Sequence, residues 1–440
     1  MSFSKLNLLP ELLSAVAKAG YKSPTPIQEK VIPEILNNRD VVAAAQTGTG
    51  KTAGFVLPIL QSLIKQHQVK QNQAQVLILT PTRELTAQVQ GQIDTYAIDT
   101  KLKSLCVFGG VNINPQMQKL RGGVNILVAT PGRLLDLMQR NAVKFPELSC
   151  LVLDEADRML DMGFLPDIKR IIRQIPKQRQ TLLFSATYSK EIKALTNTFL
   201  NNPVSISVSP QNSTANTVEQ WFHPVDKKRK SALLSYLIGH EQWPQVLVFT
   251  RTKRGANKVA YDLQKSGIEA EAIHGNKSQS ARNRVLGAFK SGALHVMVAT
   301  DVAARGLDID HLPYVVNLDL PNVAEDYVHR IGRTGRAGKT GCAVSLVSAD
   351  EIEQLSKIEG LIKTRLKRIV VDGFDPKHAV PESNPRAPKK KKPHKRKIAK
   401  AQEKQGNKPT GNPGGKPNNR RSFKRRKSSA AKPTNRHNKT

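Results

Sequence analysis

The sequence predicts an α/β protein of two tandem parallel-sheet domains followed by a disordered basic tail. Three observations carry that expectation: short apolar runs alternate with segments of helical period, the runs recur as a series at a fixed offset, and composition changes abruptly after Asp375. At 440 residues, 39% of them hydrophobic, the chain exceeds what one core usually supports, so two domains of ordinary size are expected.

The first series of apolar runs is "VLILTP" (76–81), "ILVATP" (126–131), "LVLDEAD" (151–157) and "TLLFSAT" (181–187). Short apolar strands separated by helical lengths read as a parallel sheet covered on both faces. A second series echoes the first. "VLILTPTREL" from Val76 is matched by "VLVFTRTKRG" from Val246, and "ILVATPGR" from Ile126 by "VMVATDVAARG" from Val296, with both pairs 170 residues apart. The repeated offset predicts two domains of one architecture, over residues 1–208 and 218–375, joined by the polar linker 209–217. In both, polar residues follow the strand ends, where open α/β sheets bind ligands. Two such edges facing one another would form a cleft able to open and close.

Charge points to the partner. Residues 376–440 hold 22 Lys and Arg against 2 acids, a net +20, which leaves +14 of the total +34 for residues 1–375. Clustered Lys and Arg bind phosphate backbones through counterion release, so a polyanion is the simplest partner. In the tail, Val380, Ile398 and Phe423 are the large apolar residues, too few for a core, so disorder is expected and a basic arm adding nucleic-acid affinity is the functional reading. Cys106, Cys150 and Cys342 lie far apart and read as small buried apolar residues. No apolar run approaches the length of a membrane span, and the N-terminus lacks a basic segment leading into a long apolar one; the expectation is a cytoplasmic protein.

"AQTGTGKT" (Ala45 to Thr52) lies between the strand-like "DVVAAA" and a helix-like segment, the context a phosphate-binding loop needs. Glycines let backbone amides approach phosphate, Lys51 would reach the β- and γ-phosphates, and Thr52 would hold Mg²⁺. Ala45 stands where the strict pattern has glycine. Such a loop requires a carboxylate on a neighbouring strand end for the metal and a base for water. "DEAD" (154–157) offers Asp154 for the first and Glu155 for the second. It also reads as a helix start, with Asp154 as N-cap and acids in the first turn. "HRIGRTGR" places Arg330, Arg333 and Arg336 at spacing three, one helical face of guanidinium groups that repel unless an anion lies opposite.

These segments, with "PTRELTAQ" (81–88), "TPGR" (130–133), "SAT" (185–187), "HGNKSQSAR" (274–282) and "ATDVAARGLD" (299–308), resemble in full and in order the DEAD-box RNA helicases, over residues 1 to about 370. The opening "MSFSKLNLLPELLSAVAKAGYKSPTPIQ" and the basic tail resemble the bacterial RhlE-type branch most. The resemblance implies two RecA-like domains and, as ligands, ATP with Mg²⁺ and RNA. It implies that Gln28 hydrogen-bonds adenine, Tyr21 stacks on it, and Phe3 is the isolated upstream aromatic. Ala45, Gln46, Thr47, Gly48, Thr49, Gly50, Lys51 and Thr52 would form the phosphate loop, with Asp308 on the ribose. Arg333 and Arg336 would act as fingers on the γ-phosphate, His329 would couple their segment to the nucleotide, and Asp157, Ser185 and Thr187 would link the ATP state to the domain interface. Pro81, Thr82, Arg83, Gly109, Gly110, Thr130, Gly132, Arg133, Arg251, Gln279, Arg282 and Thr300 resemble the family's phosphate-contacting positions, which suit sugar-phosphate contact without base reading.

The expected activity is RNA-stimulated ATP hydrolysis coupled to local, nonprocessive unwinding of short duplexes by a monomer. Ribosomal precursors or the RNA-decay machinery are the expected context. Two other readings stay open at this point: a DNA-directed helicase of the same plan, and an ATP-gated RNA clamp or annealing chaperone dominated by the tail.

Overall fold

The central sheet strands are short and apolar on both sides, and most are followed by a helix. Strands β1 (Val41–Ala44), β2 (Ala74–Leu79), β3 (Ser104–Val107), β4 (Val124–Ala129), β5 (Cys150–Leu153), β6 (Gln180–Ser185) and β7 (Val204–Ser207) form a first seven-stranded sheet in the order β3-β4-β2-β5-β6-β1-β7. Strands β8 (Val218–Pro224), β9 (Val246–Thr250), β10 (Ala270–Ile273), β11 (Val296–Thr300), β12 (Tyr314–Asn317), β13 (Gly341–Val347) and β14 (Lys367–Arg368) form a second, ordered β10-β11-β9-β12-β13-β8-β14. Adding seven to each strand number of the first order gives the second. The expected repeat is therefore a repeat of topology: "VLIL" is β2 and "VLVF" is β9, while "ILVA" is β4 and "VMVA" is β11. The named pairings are parallel; Val76 lies between Ile126 and Cys150, and Val246 lies in the same way between Val296 and Tyr314. In both domains the chain is an α/β RecA-like fold.

The computed structural model describes residues 2–45, 49–64, 69–208, 218–304, 307, 309, 312–335 and 341–384. Gln46, Thr47, Gly48, Asp308 and Arg336, the linker 209–217 and the chain beyond Asn384 lie outside the described residues.

Side chains of each strand divide between two cores. Val76 and Ile78 pack with Ile27, Phe55 and Val89, from the helices Pro26–Leu36, Lys51–Ile64 and Arg83–Tyr96, while Leu77 and Leu79 face Leu134, Met159 and Ile168 on the other side. Both faces being dry explains why these strands read as unbroken apolar runs. In the second sheet Val246 and Val248 face the helices Lys230–His240 and Lys253–Lys265, and Leu247 and Phe249 face the helix Gln279–Lys290. Both sheets belong to one compact unit, Met1–Ala387.

The structure departs from the sequence reading at the tail. Residues 376–384 are packed on the second domain: Lys377 and His378 donate backbone N–H to Asp226, Arg368 donates to the Val380 and Pro381 carbonyls, and Val380 is 3% exposed among Tyr327, Ile358 and Leu366. A single buried valine held by backbone hydrogen bonds is invisible to an average over a basic segment. Cys150 is buried, whereas Cys106 and Cys342 are only half-buried; all three are free thiols.

Candidate functional site

β1 ends at Ala44, Ala45 continues it by donating its N–H to the Ser185 carbonyl, and the helix Lys51–Ile64 begins where the phosphate loop closes. Gly50 has φ +88°, and a Cβ there would meet Gln28 Nε2 at 2.5 Å, so glycine is required on both conformational and steric grounds. Lys51 is 6% exposed, and its Nζ has no hydrogen-bond partner among the described residues. A buried ammonium without a partner is costly, and a phosphate oxygen would satisfy it. Thr52 is half-buried in the same first turn.

Gln28, expected to hydrogen-bond adenine, is engaged within the protein. It is fully buried, its Oε1 accepts the Thr25 N–H at 2.9 Å, and its Nε2 donates to the Gly50 carbonyl at 3.0 Å. Its amide therefore ties the start of the helix Pro26–Leu36 to the phosphate loop. Phe3, at 6% exposed, packs in the first core beside Leu6 and Leu12 and is not presented as a base contact. Tyr21 is 42% exposed, its hydroxyl accepting from Tyr96 at 3.3 Å, and its ring is open to a stacking partner.

Asp154 closes β5 by donating its N–H to the Leu79 carbonyl, and burial pushes its carboxyl up to about 6 against the pull of the Lys51 ammonium, with Glu155 adding to the rise. The helix-cap reading fails here. The helix runs Ala156–Asp161 with Glu155, not Asp154, at its N-cap, and no side chain caps it; Asp154 Oδ1 instead accepts the Glu155 N–H at 2.9 Å. Glu155 holds φ +51°, a left-handed conformation costing about 1 kcal/mol in a non-glycine residue. Glu155 Oε2 lies 3.3 Å from Arg158 Nε, both side chains 4% exposed, yet the pair is not aligned as a hydrogen bond and the oxygen has no donor among the described residues. A buried carboxylate oxygen left open in this way can accept a proton from a water.

Asp157 carries the connection outward. Its Oδ2 accepts from Ala186 N, Thr187 N and Thr187 Oγ1 at 3.0–3.1 Å, and Ser185 Oγ donates to the Thr187 carbonyl at 2.7 Å. Asp157, Ser185 and Thr187 thus form the cluster the sequence places together.

The opposite wall comes from the second domain. Arg158 shares a pocket with Phe249, Asp301, Asp326, His329, Arg330 and Arg333. Of the three expected arginines Arg330 and Arg333 are described, and they do not share a helical face: the helix Ala324–Ile331 ends before Arg333, and Arg330 turns inward. Arg330 is bidentate to Asp301, Nε to Oδ1 at 2.6 Å and Nη2 to Oδ2 at 2.8 Å, and it also donates to Asn317 and the Asp319 carbonyl. Its anion is internal, and the residue is a strut of the second domain. Arg333 is 5% exposed and donates to the Leu307 carbonyl at 2.8 Å. His329 Nδ1 is buried without a hydrogen-bond partner among the described residues, 3.9 Å from Asp326 Oδ1.

The strand-end set expected to hold phosphates divides into two groups. Arg133 is 9% exposed; Nη2 donates to the Val111 carbonyl, while Nε and Nη1 have no hydrogen-bond partner among the described residues. It follows Gly132 in the first turn of the helix Pro131–Gln139, whose N-cap position, Thr130, makes no side-chain capping hydrogen bond. The Arg83 guanidinium lies over Gly110, where a Cβ would come within 2.4 Å of it, and Thr82, after Pro81, caps the helix Arg83–Tyr96 by accepting the Leu85 N–H. Gly109 has nothing within 4 Å of its Cβ position, so that edge is open. The remaining members are engaged. Arg282 forms an ion pair with Glu84 across the two domains at 2.8 Å, both side chains 9% exposed or less, and Gln279 bridges Arg83 at 3.3 Å and Glu84 at 3.2 Å. Arg251 pairs with Glu351 at 2.9 Å, its side chain 32% exposed, and Thr300 is buried at the end of β11. Glu84, Asp301 and Arg158 were missed by the sequence reading. Each lies within or beside a recognised segment, and an acid among arginines was the available signal for the first two.

A family model described as DEAD/DEAH box helicase matches residues 25–195, and one described as helicase conserved C-terminal domain matches residues 228–338. The DEAD-box ATP-dependent RNA helicase CshA of Geobacillus kaustophilus is 42% identical over 368 residues, 84% of this chain and 78% of that protein. The chain belongs to the DEAD-box RNA helicase family. CshA of Streptococcus pneumoniae serotype 4 is 44% identical to this helicase over 83% of the chain and 69% of its own length. Among solved structures, S. cerevisiae Dbp5 bound to RNA and ADP BeF3 is similar, at 32% identity and a TM-score of 0.75, over 85% of this chain and 97% of that one. The protein is an ATP-dependent RNA helicase, and the DNA-directed and non-enzymatic readings receive no support from these relatives.

Proposed function

We propose that this helicase hydrolyses ATP at the junction of Lys51, Asp154, Glu155 and the arginine segment after Ile331, and that closure of its domains around ATP and RNA separates a few base pairs locally and nonprocessively. The observation that carries the reading is the cross-domain contact of Glu84 with Arg282 and Gln279, formed from the same segments that hold the RNA-side arginines. Ligands that bridge the same closed state favour one another by reciprocity of linkage.

In this reading Lys51 neutralises the terminal phosphates and Glu155 orients and deprotonates the attacking water. Arg333 and Arg336, the latter outside the described residues, would act on the developing charge; such a finger contributes about 10³-fold or more to rate. Among the described residues no cluster of three or more His, Cys, Asp or Glu suits a metal. Asp154 and Thr52 would therefore hold Mg²⁺ together with phosphate oxygens and water, a donor set of hard oxygens that fits the ion. Bound there, Mg²⁺ would neutralise charge on the phosphates. Arg133 and Arg83 grip the RNA backbone, and Asp157 passes the state of the nucleotide to Ser185 and Thr187 and so to the cleft.

The finer placement rests on composition. A strongly basic tail of the length seen here supports an RhlE-type branch and a role on structured RNA, in ribosome assembly or RNA turnover. No helix among the described residues is long and apolar enough to cross a membrane. As a separate part of the proposal, the protein acts as a cytoplasmic monomer.

Two outcomes test the reading. ATP hydrolysis should rise severalfold with saturating single-stranded RNA, and a rate indifferent to RNA would refute the coupling. Glu155→Gln should keep ATP and RNA binding while losing turnover by about 10²-fold or more; retained turnover would remove Glu155 as the base.

A further inference from the structure

The helix Lys253–Lys265 leaves the carboxyl end of β9, the edge that carries Arg251. One face is core: Ala256, Val259, Ala260 and Leu263 are buried. The opposite face bears Arg254, Lys258, Tyr261 and Lys265, at spacings of four, three and four, all exposed. These positions fall on a single helical stripe about 16 Å long, which begins at the RNA-side edge and runs down the outside of the second domain. Asp262, the helix's own acid, is half-buried and off the stripe.

Arg254 and Lys258 are a like-charged i, i+4 pair, and the helix's single acid, Asp262, four residues after Lys258, can offset only one of the stripe's three cations. Tyr261 lies between the cations with 56% of its surface exposed, and Lys265 Nζ is 4.7 Å from its ring centroid. The adjoining helix Lys230–His240 adds a second exposed aromatic, Tyr236, stacked on His240 at 4.9 Å. Exposed rings flanked by cations are the elements of a sequence-tolerant platform for single-stranded nucleic acid.

We infer that this stripe is an auxiliary RNA track, which holds single-stranded RNA where it leaves the cleft and lies outside the strand-end set described above. Lys258 and its neighbours contact phosphates, and Tyr261 receives a base. The track rests on the RNA-binding reading of the cleft and extends it along the strand. It would raise affinity for long RNA without taking part in hydrolysis.

The test uses the full chain with a nonhydrolysable ATP analogue and single-stranded RNA of about ten and about thirty nucleotides. The triple variant Arg254→Gln/Lys258→Gln/Lys265→Gln should bind the long strand about tenfold more weakly, with its log–log salt slope lowered by about 2, and bind the short strand as the unmodified protein does. Tyr261→Ala should weaken long-strand binding about tenfold, and Tyr261→Phe, which keeps the ring, should restore it. ATP hydrolysis stimulated by the short strand should be unchanged in all three. Unchanged affinity for the long strand would overturn the track and leave the stripe as a solvated face or a surface for an acidic protein. Equal weakening on both lengths would overturn it too, by placing the effect in the cleft. Absence of stimulation by short RNA in the unmodified protein would instead count against the proposed coupling.

Discussion

At Asp157 one carboxylate oxygen accepts three donors from Ala186 and Thr187, and the residue is 8% exposed. Removing the acceptor strands those donors, at roughly 1–3 kcal/mol for each group left buried without a partner. Asp157→Ala should therefore keep ATP binding but lose duplex separation more than it loses ATP hydrolysis; parallel assays on one preparation would show the divergence, and equal losses would refute the coupling role. The grouping of Asp157, Ser185 and Thr187 came from the family resemblance, since "SAT" by itself reads as a small-residue turn after a strand. Gln28 and Arg330 were legible only as sites. Gln28 meets Thr25 in a helix-start pattern, threonine with glutamine three residues on, which uses the amide internally. A spacing of three suggested a shared face for the arginines, but spacing does not reveal that the helix stops at Ile331 and that Asp301 waits for Arg330.

The elements repeat more faithfully than the residues do. The 170-residue offset predicted two like domains, and the two strand orders are the same seven-strand permutation. What the pattern could not convey is the addition of β14 to the second sheet and the packing of the segment 376–384 on that domain, because the segment is anchored by bonds from its backbone groups to Asp226 and Arg368 and by one buried valine. His223 on β8 belongs to that added edge. Its Nε2 accepts from Trp221 Nε1 at 2.9 Å, and its Nδ1 lies 2.8 Å from the Ile369 carbonyl, the residue that follows β14. Acceptance at Nε2 requires the neutral ring with its proton on Nδ1. Burial pushes this imidazole below its ordinary value, against upward pulls from the Ile369 carbonyl and Glu241. A base whose folded pKa is depressed gains protons on unfolding, so its share of stability is present above about pH 6.5 and is lost as pH falls below it. Thermal unfolding followed by tryptophan fluorescence should show a larger loss of Tm from about pH 7 to about pH 5.5 in the unmodified protein than in His223→Gln. Parallel pH profiles would show that His223 does not titrate against folding.

Across the whole molecule the decisive contacts join the two sheets. Glu84 accepts from Arg282 and Gln279, and Arg158 of the "DEAD" helix lies in one pocket with His329 and Arg333. Truncating one partner of a buried ion pair leaves the other charge uncompensated, at about 3–5 kcal/mol in the closed state. Arg282→Ala should consequently leave ATP hydrolysis without RNA nearly unchanged while lowering the RNA-stimulated rate about tenfold or more; steady-state rates with and without RNA would decide it, and an unchanged stimulated rate would show that the pair does not hold the closed form. The sequence predicted a cleft between facing strand ends, but the charge pairing that closes it joins segments nearly 200 residues apart, beyond the reach of periodicity. In the proposed mechanism ATP and RNA bind one closed state. This is tested most directly by the affinity for a short single-stranded RNA, measured by fluorescence anisotropy with and without a nonhydrolysable ATP analogue at fixed salt. Binding should be at least about tenfold tighter with the analogue; equal affinity in its presence and absence would show that the two ligands do not share a closed state.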